Sequence, residues 1–174
     1  MKRLKLYNVD EKYVNYLKMY DSKVPDVHNG KQNRPFLGVV LSINEIDYFV
    51  PLASPKPKHK TMHNQIDFTK INNGLWGAMN FNNMIPVLPE YTFPINLSIE
   101  VNDDKKIVKW KNLLANQISW CNKLENREHI IHKAEKLHHI IVSGEANEYL
   151  TKRCCDFIKL EEAVSKYRLT QIIM

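Results

Sequence analysis

Two β-rich runs constrain this chain more than any other feature: PFLGVVLSI, residues 35–43, and IDYFVPL, residues 46–52, are separated only by Asn44 and Glu45. Branched and aromatic runs joined by two turn-forming residues form an antiparallel hairpin. The first run is apolar at nearly every position, which predicts a strand covered on both faces. Such a hairpin needs further chain to cover it. Residues 2–7 alternate basic and apolar, as a short strand does. Asp10 is placed to cap a helix over 11–20, where Tyr13, Tyr16, Leu17 and Tyr20 share one face. Residues 21–34 hold Pro25 and Gly30 among polar side chains and read as a long loop, a place where function often sits.

After the hairpin, residues 66–68 and 84–88 read as short strands, with Asn72, Asn73, Asn80, Asn82 and Asn83 suited to turns. The texture then becomes helical. Ile107, Trp110, Leu114, Ile118 and Cys121 line one face of a helix over 105–124, capped by Asn102 or Asp103. Ile130, Ile131, Ala134, Leu137 and Ile141 do the same over 125–142, where Gly144 stops the helix. Shorter helices follow over 145–153 and 161–168. The fold class is α+β, with strands first and a helical pair packed on them later.

With 174 residues the chain has the length of one domain, residues 1–174. Its hydrophobic share of 44% excludes a disordered polyelectrolyte. No apolar stretch approaches the ~18 residues of a membrane span, and the N-terminal residues lack the apolar run of a signal peptide. A cytoplasmic protein is expected. Cys121, Cys154 and Cys155 are an odd set with no zinc-type spacing, so they read as reduced packing residues.

Charge is uneven along the chain. Residues 1–60 carry 11 basic and 6 acidic side chains, a surplus of five, of the net +6 of the whole chain. Lys31 and Arg34 precede the first strand of the hairpin, while Lys56, Lys58 and Lys60 follow the second. Pairing brings those two ends to the same sheet edge and their cations to one cleft, a phosphate-binding surface. The alternative is a solvated basic rim that aids solubility.

Other chemistries find less support. His59 and His63 have the i, i+4 spacing of a zinc helix, but Lys60 stands where a metalloprotease needs Glu, and two prolines upstream argue against a helix. His129, His132, His138 and His139 fall on a helix, where a polar face or a satisfied core histidine is the commoner fate. Ser54 lacks a nucleophile-elbow motif, and five glycines make no phosphate loop. No metal or cofactor is expected. Among the aromatics, Tyr20 and Trp76 are candidates for stacking on bases, with core packing as the alternative. Trp76 stands out because Gly74 and Gly77 flank it, allowing a sharp turn or a close approach to a ligand.

One reaction fits a hydroxyl among cations without a metal: attack of an RNA 2′-hydroxyl on the adjacent phosphate. It needs a proton acceptor, a donor for the leaving 5′-oxygen and positive charge around phosphorus. Ser54 offers a short hydrogen bond, the lysines and Arg34 offer charge, and a lysine among cations has its pKa lowered toward the base range. DNA lacks the nucleophile.

At these residues the chain resembles the ToxN/AbiQ family, the toxins of type III toxin–antitoxin systems. The likeness lies in KxxRPFLGVV from Lys31, YFVPLASPKPKH from Tyr48, MNFNNMIPV over 79–87, CCDF over 154–157, and Leu160 with Glu161. The resemblance implies a compact antiparallel β-sheet core similar to the Kid/MazF toxins, elaborated with helices. It implies a metal-independent, sequence-selective endoribonuclease leaving 2′,3′-cyclic phosphate and 5′-hydroxyl ends. It further implies inhibition by a repeat-derived pseudoknotted RNA antitoxin in a closed toxin–RNA ring, and a role in abortive phage resistance. Ser54 matches the serine on which the family's activity depends, and Lys31 and Lys56 match lysines lining its site. Tyr20 is the nearest upstream candidate for the family's active-site tyrosine. Ala53 stands where many members carry Thr.

The residues then divide into a catalytic set, Ser54 positioning the phosphate, Lys31 moving the proton and Lys56 stabilising charge, and an RNA-binding set of Arg34, Lys58, Lys60, Tyr20 and Trp76. The alternative is a basic RNA-binding module without catalysis.

Overall fold

The computed structural model describes residues 3–29 and 32–173. Its centre is the expected hairpin, β4 (Phe36–Ile43) and β5 (Ile46–Ala53), paired from Phe36↔Pro51 to Ile43↔Ile46 with a register shift between Leu37 and Leu41. Asn44 and Glu45 both take left-handed backbone, φ 49° and 63°, the geometry that matches a two-residue turn to strand twist. β1 (Lys5–Val9) pairs with β4, and β9 (Thr92–Pro94) pairs with β1. On the other side β5 divides its edge: β8 (Ile85–Val87) pairs with its first half, and β7 (Ala78–Asn80) with Leu52 and Ala53 at its end. β6 (Phe68–Lys70) completes the sheet beyond β7, and all pairings are antiparallel.

Helices cover this sheet: α1 (Glu11–Lys18), the one-turn α2 (Pro57–Thr61), α3 (Lys105–Cys121), α4 (Leu124–Val142), α5 (Glu148–Arg153) and α6 (Phe157–Ile173). The α+β class with a C-terminal helical pair therefore holds. Asp10 caps α1 as expected, its Oδ1 accepting from Tyr13 N–H at 2.9 Å.

Several expectations need correction. The β4 run is buried from Phe36 to Gly38 and at Val40, while Ser42 is exposed, so its far end has one wet face. The strand expected at 66–68 begins at Phe68, the loop of 21–34 contains a small hairpin of β2 (His28–Asn29) and β3 (Gln32–Asn33), and β7 and β9 were not anticipated. A helix does form after the prolines, because Pro57 occupies its first position, where a missing N–H costs nothing. Asp104, not Asn102 or Asp103, caps α3, accepting from Lys106 and Ile107 N–H. The buried face of α3 is Lys111, Leu114, Gln117 and Cys121, rotated from the expected stripe, and Ile107, Trp110 and Ile118 are half-buried. In α4, Lys133 and His138 are buried where Ile131 and Ile141 were expected. α6 runs 17 residues, twice the expected length.

The buried polar groups tie helices to sheet. Tyr48 on β5 donates its hydroxyl to Glu161 Oε1 at 2.6 Å, and His138 Nε2 lies 2.7 Å from the same oxygen. His138 is thus a satisfied core histidine, and burial with the neighbouring carboxylate raises the Tyr48 hydroxyl far above the usual tyrosine range. Two of the motifs that carry the family likeness hold each other: Cys155 N–H donates to Asn82 O at 2.8 Å, and Asn82 Nδ2 donates to Arg153 O. Asp156 N–H is accepted by Asp21 Oδ2 at 2.6 Å, joining the long loop to the same point. All three cysteines are free and buried, and burial pushes the Cys121 and Cys154 thiols up to about 12.

Lys133 reaches from α4 to the sheet edge, donating to Thr69 Oγ1 at 2.6 Å and Gln65 O at 2.8 Å, with burial holding its ammonium below the usual lysine range. Removing it strands those buried acceptors, each at a cost of about 1–3 kcal/mol. Lys133→Met is expected to lower the unfolding free energy by at least about 1–3 kcal/mol, read as a lower urea midpoint at unchanged slope in equilibrium unfolding.

Candidate active site

Strand β5 ends at Ala53 because Pro55 has no N–H to continue the ladder, and the chain turns through Ser54, Pro55 and Lys56 into α2. Ser54, Pro55 and Lys56 are exposed. The turn is supported from behind by residues 71–77, whose backbone closes on itself through Ile71 N–H donating to Gly77 O at 2.9 Å. Asn72 and Asn73 take left-handed backbone, as turn asparagines do. Gly77 sits at φ +95° with the position of a Cβ only 2.0 Å from Ala53 O, and Gly74 at φ +87° with the same position 2.4 Å from His59 O. The glycines around Trp76 therefore serve close backbone packing beneath the Ser54 turn. They are the reason β7 can lie against its end.

Two hollows flank Ser54. One is a cavity of about 110 Å³ that Ser54 lines together with Asn33, Pro35, Trp110, Leu113 and Gln117. The other is a wider groove of about 430 Å³ bordered by Lys56, Lys60, Gly74 and the exposed Leu75. Leu52 N–H donates to Pro35 O at 2.9 Å, so the hairpin register places the segment before β4 beside the segment after β5. An exposed hydroxyl between a cation-bordered groove and a partly enclosed cavity can hold a backbone phosphate with its flanking bases on either side.

The expected residues fall as follows. Lys56 and Lys60 border one groove with Pro55, Ser54 precedes them in the turn and lines the cavity instead, and Lys58 is exposed on the same short helix. Lys31 lies outside the described residues, but Asn33 and Pro35, just after it, share the cavity with Ser54. Side chains alternate along extended chain, so Arg34 between them faces away, and its Nε donates to Asp26 O at 2.8 Å, anchoring the loop. Burial lowers the Arg34 pKa, with Asp26 opposing the shift. Tyr20 packs on Tyr16 and under the Lys166 ammonium, and lines neither hollow. Trp76 is half-buried, and its carbonyl accepts from Gln117 Nε2 at 2.6 Å. Asn33 and Gln117 were not anticipated. A signal existed for Gln117: it stands three residues after Leu114 and four before Cys121, a polar residue on the buried stripe of α3.

His59 is buried beside Gly74 while His63 is exposed. Burial, then the Lys58 and Lys56 charges, hold the His59 pKa below the usual histidine value. Below that value the unfolded chain binds the proton more readily, so stability falls as pH drops through 6.5 toward the folded-state pKa. NMR titration of the histidine ring protons is expected to give His59 a midpoint below 6.5, and the melting temperature of a His59→Phe variant to depend less on pH below that point than the wild type's.

Comparison with known proteins assigns the chain to a family. The family model for toxin ToxN of type III toxin–antitoxin systems matches residues 5–165. Endoribonuclease ToxN of Bacillus thuringiensis subsp. kurstaki is 31% identical over 167 residues, covering 94% of this chain and 84% of the relative. Endoribonuclease AbiQ of Lactococcus lactis subsp. lactis is 31% identical over 117 residues, covering 61% and 63%. Among solved structures, a type III toxin studied for its selective inhibition by a non-coding RNA pseudoknot superposes with TM-score 0.79 at 30% identity, over 96% of this chain and 99% of that one. AbiQ, described as a lactococcal anti-phage endoribonuclease, superposes with TM-score 0.79 at 25% identity over the same shares. The chain belongs to the ToxN family, the endoribonuclease toxins of type III toxin–antitoxin systems.

Proposed function

We propose that this chain, acting as one domain of residues 1–174, cleaves RNA at the Ser54 turn through the substrate's own 2′-hydroxyl. The observation that carries the reading is the exposed Ser54 set between the Lys56 and Lys60 groove and the cavity at Asn33. The 2′-oxygen attacks phosphorus and loses its proton, the bond to the 5′-oxygen breaks, and that oxygen takes a proton as it leaves. The products are a 2′,3′-cyclic phosphate and a 5′-hydroxyl. Ser54 Oγ donates to a non-bridging phosphate oxygen, Lys56 offsets the charge that builds on phosphorus, and Lys31 moves the proton. Side-chain cations, in place of a bound metal, supply the charge.

The likeness to a toxin inhibited by an RNA pseudoknot supports an RNA antitoxin as regulator here; the reading extends to a closed toxin–RNA ring and to cellular RNAs as targets. The reading extends as well to a Kid/MazF-like sheet core and a cytoplasmic role in abortive infection. Among the described residues no helix is long and apolar enough to cross a membrane.

The test is RNA binding and RNA cleavage measured on one preparation across salt concentrations. Each lysine on a single-stranded phosphate adds about 0.7 to the slope of log affinity against log salt, so Lys60→Ala should reduce the slope by about that amount. Salt-sensitive binding with cleavage supports the reading, while the same binding with intact RNA at high protein supports a non-catalytic module.

A further inference from the structure

Leu75 is 54% exposed, a large apolar side chain between the buried Gly74 and the half-buried Trp76. A lone exposed leucine is ordinary. Leu75 is not alone, because it lines the wider groove together with the exposed Pro55 and Pro57, so three apolar side chains share one hollow of about 430 Å³ with Lys56 and Lys60. Its position is fixed from both sides. Leu75 N–H donates to Asn72 O at 3.0 Å, and Trp76 O is held by Gln117 Nε2, while Gly74 lies so close to α2 that a Cβ would stand 2.4 Å from His59 O. The Leu75 backbone itself is ordinary, φ −62° and ψ −34°, so the turn does not demand this residue type.

Two features say what covers the groove. The short helix beside it carries Lys58, His59 and Lys60 with no acid in its first turn, and the groove's lining residues are basic or uncharged, so it draws an anion. Pro55 follows Ser54 directly, its Cα about 3.8 Å away, so the groove is continuous with the place of the scissile phosphate. A nucleotide combines an anionic phosphate for lysines with a flat base face for apolar side chains. The volume lies well above the roughly 150 Å³ of an engineered cavity that holds benzene, which leaves room for a purine or a pyrimidine.

We propose that this groove is a nucleotide subsite, in which the base of one of the two nucleotides flanking the scissile phosphate rests its face on Leu75 and the two prolines. Lys60 then meets the next backbone phosphate, and Lys56 stays with the scissile one. The proposal rests on the RNA-cleavage reading above and adds a positioning residue to it. Leu75 touches no reacting atom. By fixing one flanking base it restricts the sugar and phosphate to the orientation in which the 2′-oxygen lies in line with the breaking bond. Every base has such a face, so the contact tolerates any base.

The test pairs the wild type, Leu75→Ser and Leu75→Phe with RNA oligomers that have one dominant cut site. Each oligomer is either intact or carries an abasic ribonucleotide, which keeps its 2′-hydroxyl, on the 5′ or the 3′ side of that site. Leu75→Ser should melt with the wild type and cut the intact oligomer about tenfold more slowly in single-turnover assays. Its salt slope for binding should stay that of the wild type, because no charge is lost. Leu75→Phe keeps an apolar platform and should restore most of the rate. One of the two abasic oligomers should be cut about tenfold more slowly by the wild type, and Leu75→Ser should slow that oligomer no further, since the base it would have held is gone. Wild-type rates in Leu75→Ser, or losses that multiply on both abasic oligomers, overturn the proposal. If the wild type cuts no RNA the cleavage reading fails by itself, and the groove is judged by fluorescence anisotropy with the same oligomers. Weaker binding of one abasic oligomer, matched but not deepened by Leu75→Ser, supports the subsite, and equal binding of all oligomers by both proteins rules it out.

Discussion

Gly77→Ala is expected to lower the unfolding free energy by about 2–4 kcal/mol and to abolish cleavage in whatever fraction stays folded. Both effects have one cause. At φ +95° a side chain is strained before any contact is considered, and the added Cβ would lie 2.0 Å from Ala53 O. That atom belongs to backbone paired in the β5–β7 ladder, Ala53↔Ala78, so no flexible side chain can yield in its place. The relief must come from moving Ala53 and Ser54, the residues that define the turn. Chemical denaturation would show a lower midpoint, and activity per folded molecule would fall well below the loss expected from instability alone.

Ser54→Ala is expected to separate function from stability. The side chain is exposed, and exposed substitutions away from special backbone usually change stability by no more than about 0.5 kcal/mol. Loss of one preorganised donor to a developing oxyanion costs about 10²–10³ in rate. The variant should therefore melt with the wild type, bind RNA through Lys56 and Lys60 with the same salt slope, and cut it about 10²–10³ times more slowly in single-turnover assays.

The hairpin at the centre of this site was legible in sequence because β-branched runs, a two-residue spacer and the prolines after it all specify the same local geometry. It follows that the segment before β4 lies beside the segment after β5, Asn33 and Pro35 next to Ser54. Long-range partners were less visible. The asparagines of residues 80–83 read as turn formers, yet Asn82 is also the anchor for Cys155 and Arg153, more than 70 residues away. Arg34 counts as free charge in a composition, but strand alternation turns it toward Asp26 and leaves Asn33 and Pro35 at the cavity. Hydrophobicity alone puts the apolar stripe of α3 through Ile107 and Ile118. Lys111 is buried instead, since its Nζ finds Ser98 O and Asp103 Oδ2, each at 2.7 Å. Gln117 is buried because Trp76 offers a carbonyl. Partners of this kind come from distant loops, and periodicity carries no information about them.

The identity of the RNA ends left by the purified protein tests the central claim most directly. With an RNA oligomer containing one dominant cut site, the products should be a 2′,3′-cyclic phosphate and a 5′-hydroxyl by mass spectrometry. A single 2′-deoxy substitution at the nucleotide 5′ of that site should block the cut there. A 5′-phosphate product, or undiminished cutting of the 2′-deoxy oligomer at the same bond, would contradict attack by the substrate's own hydroxyl at Ser54.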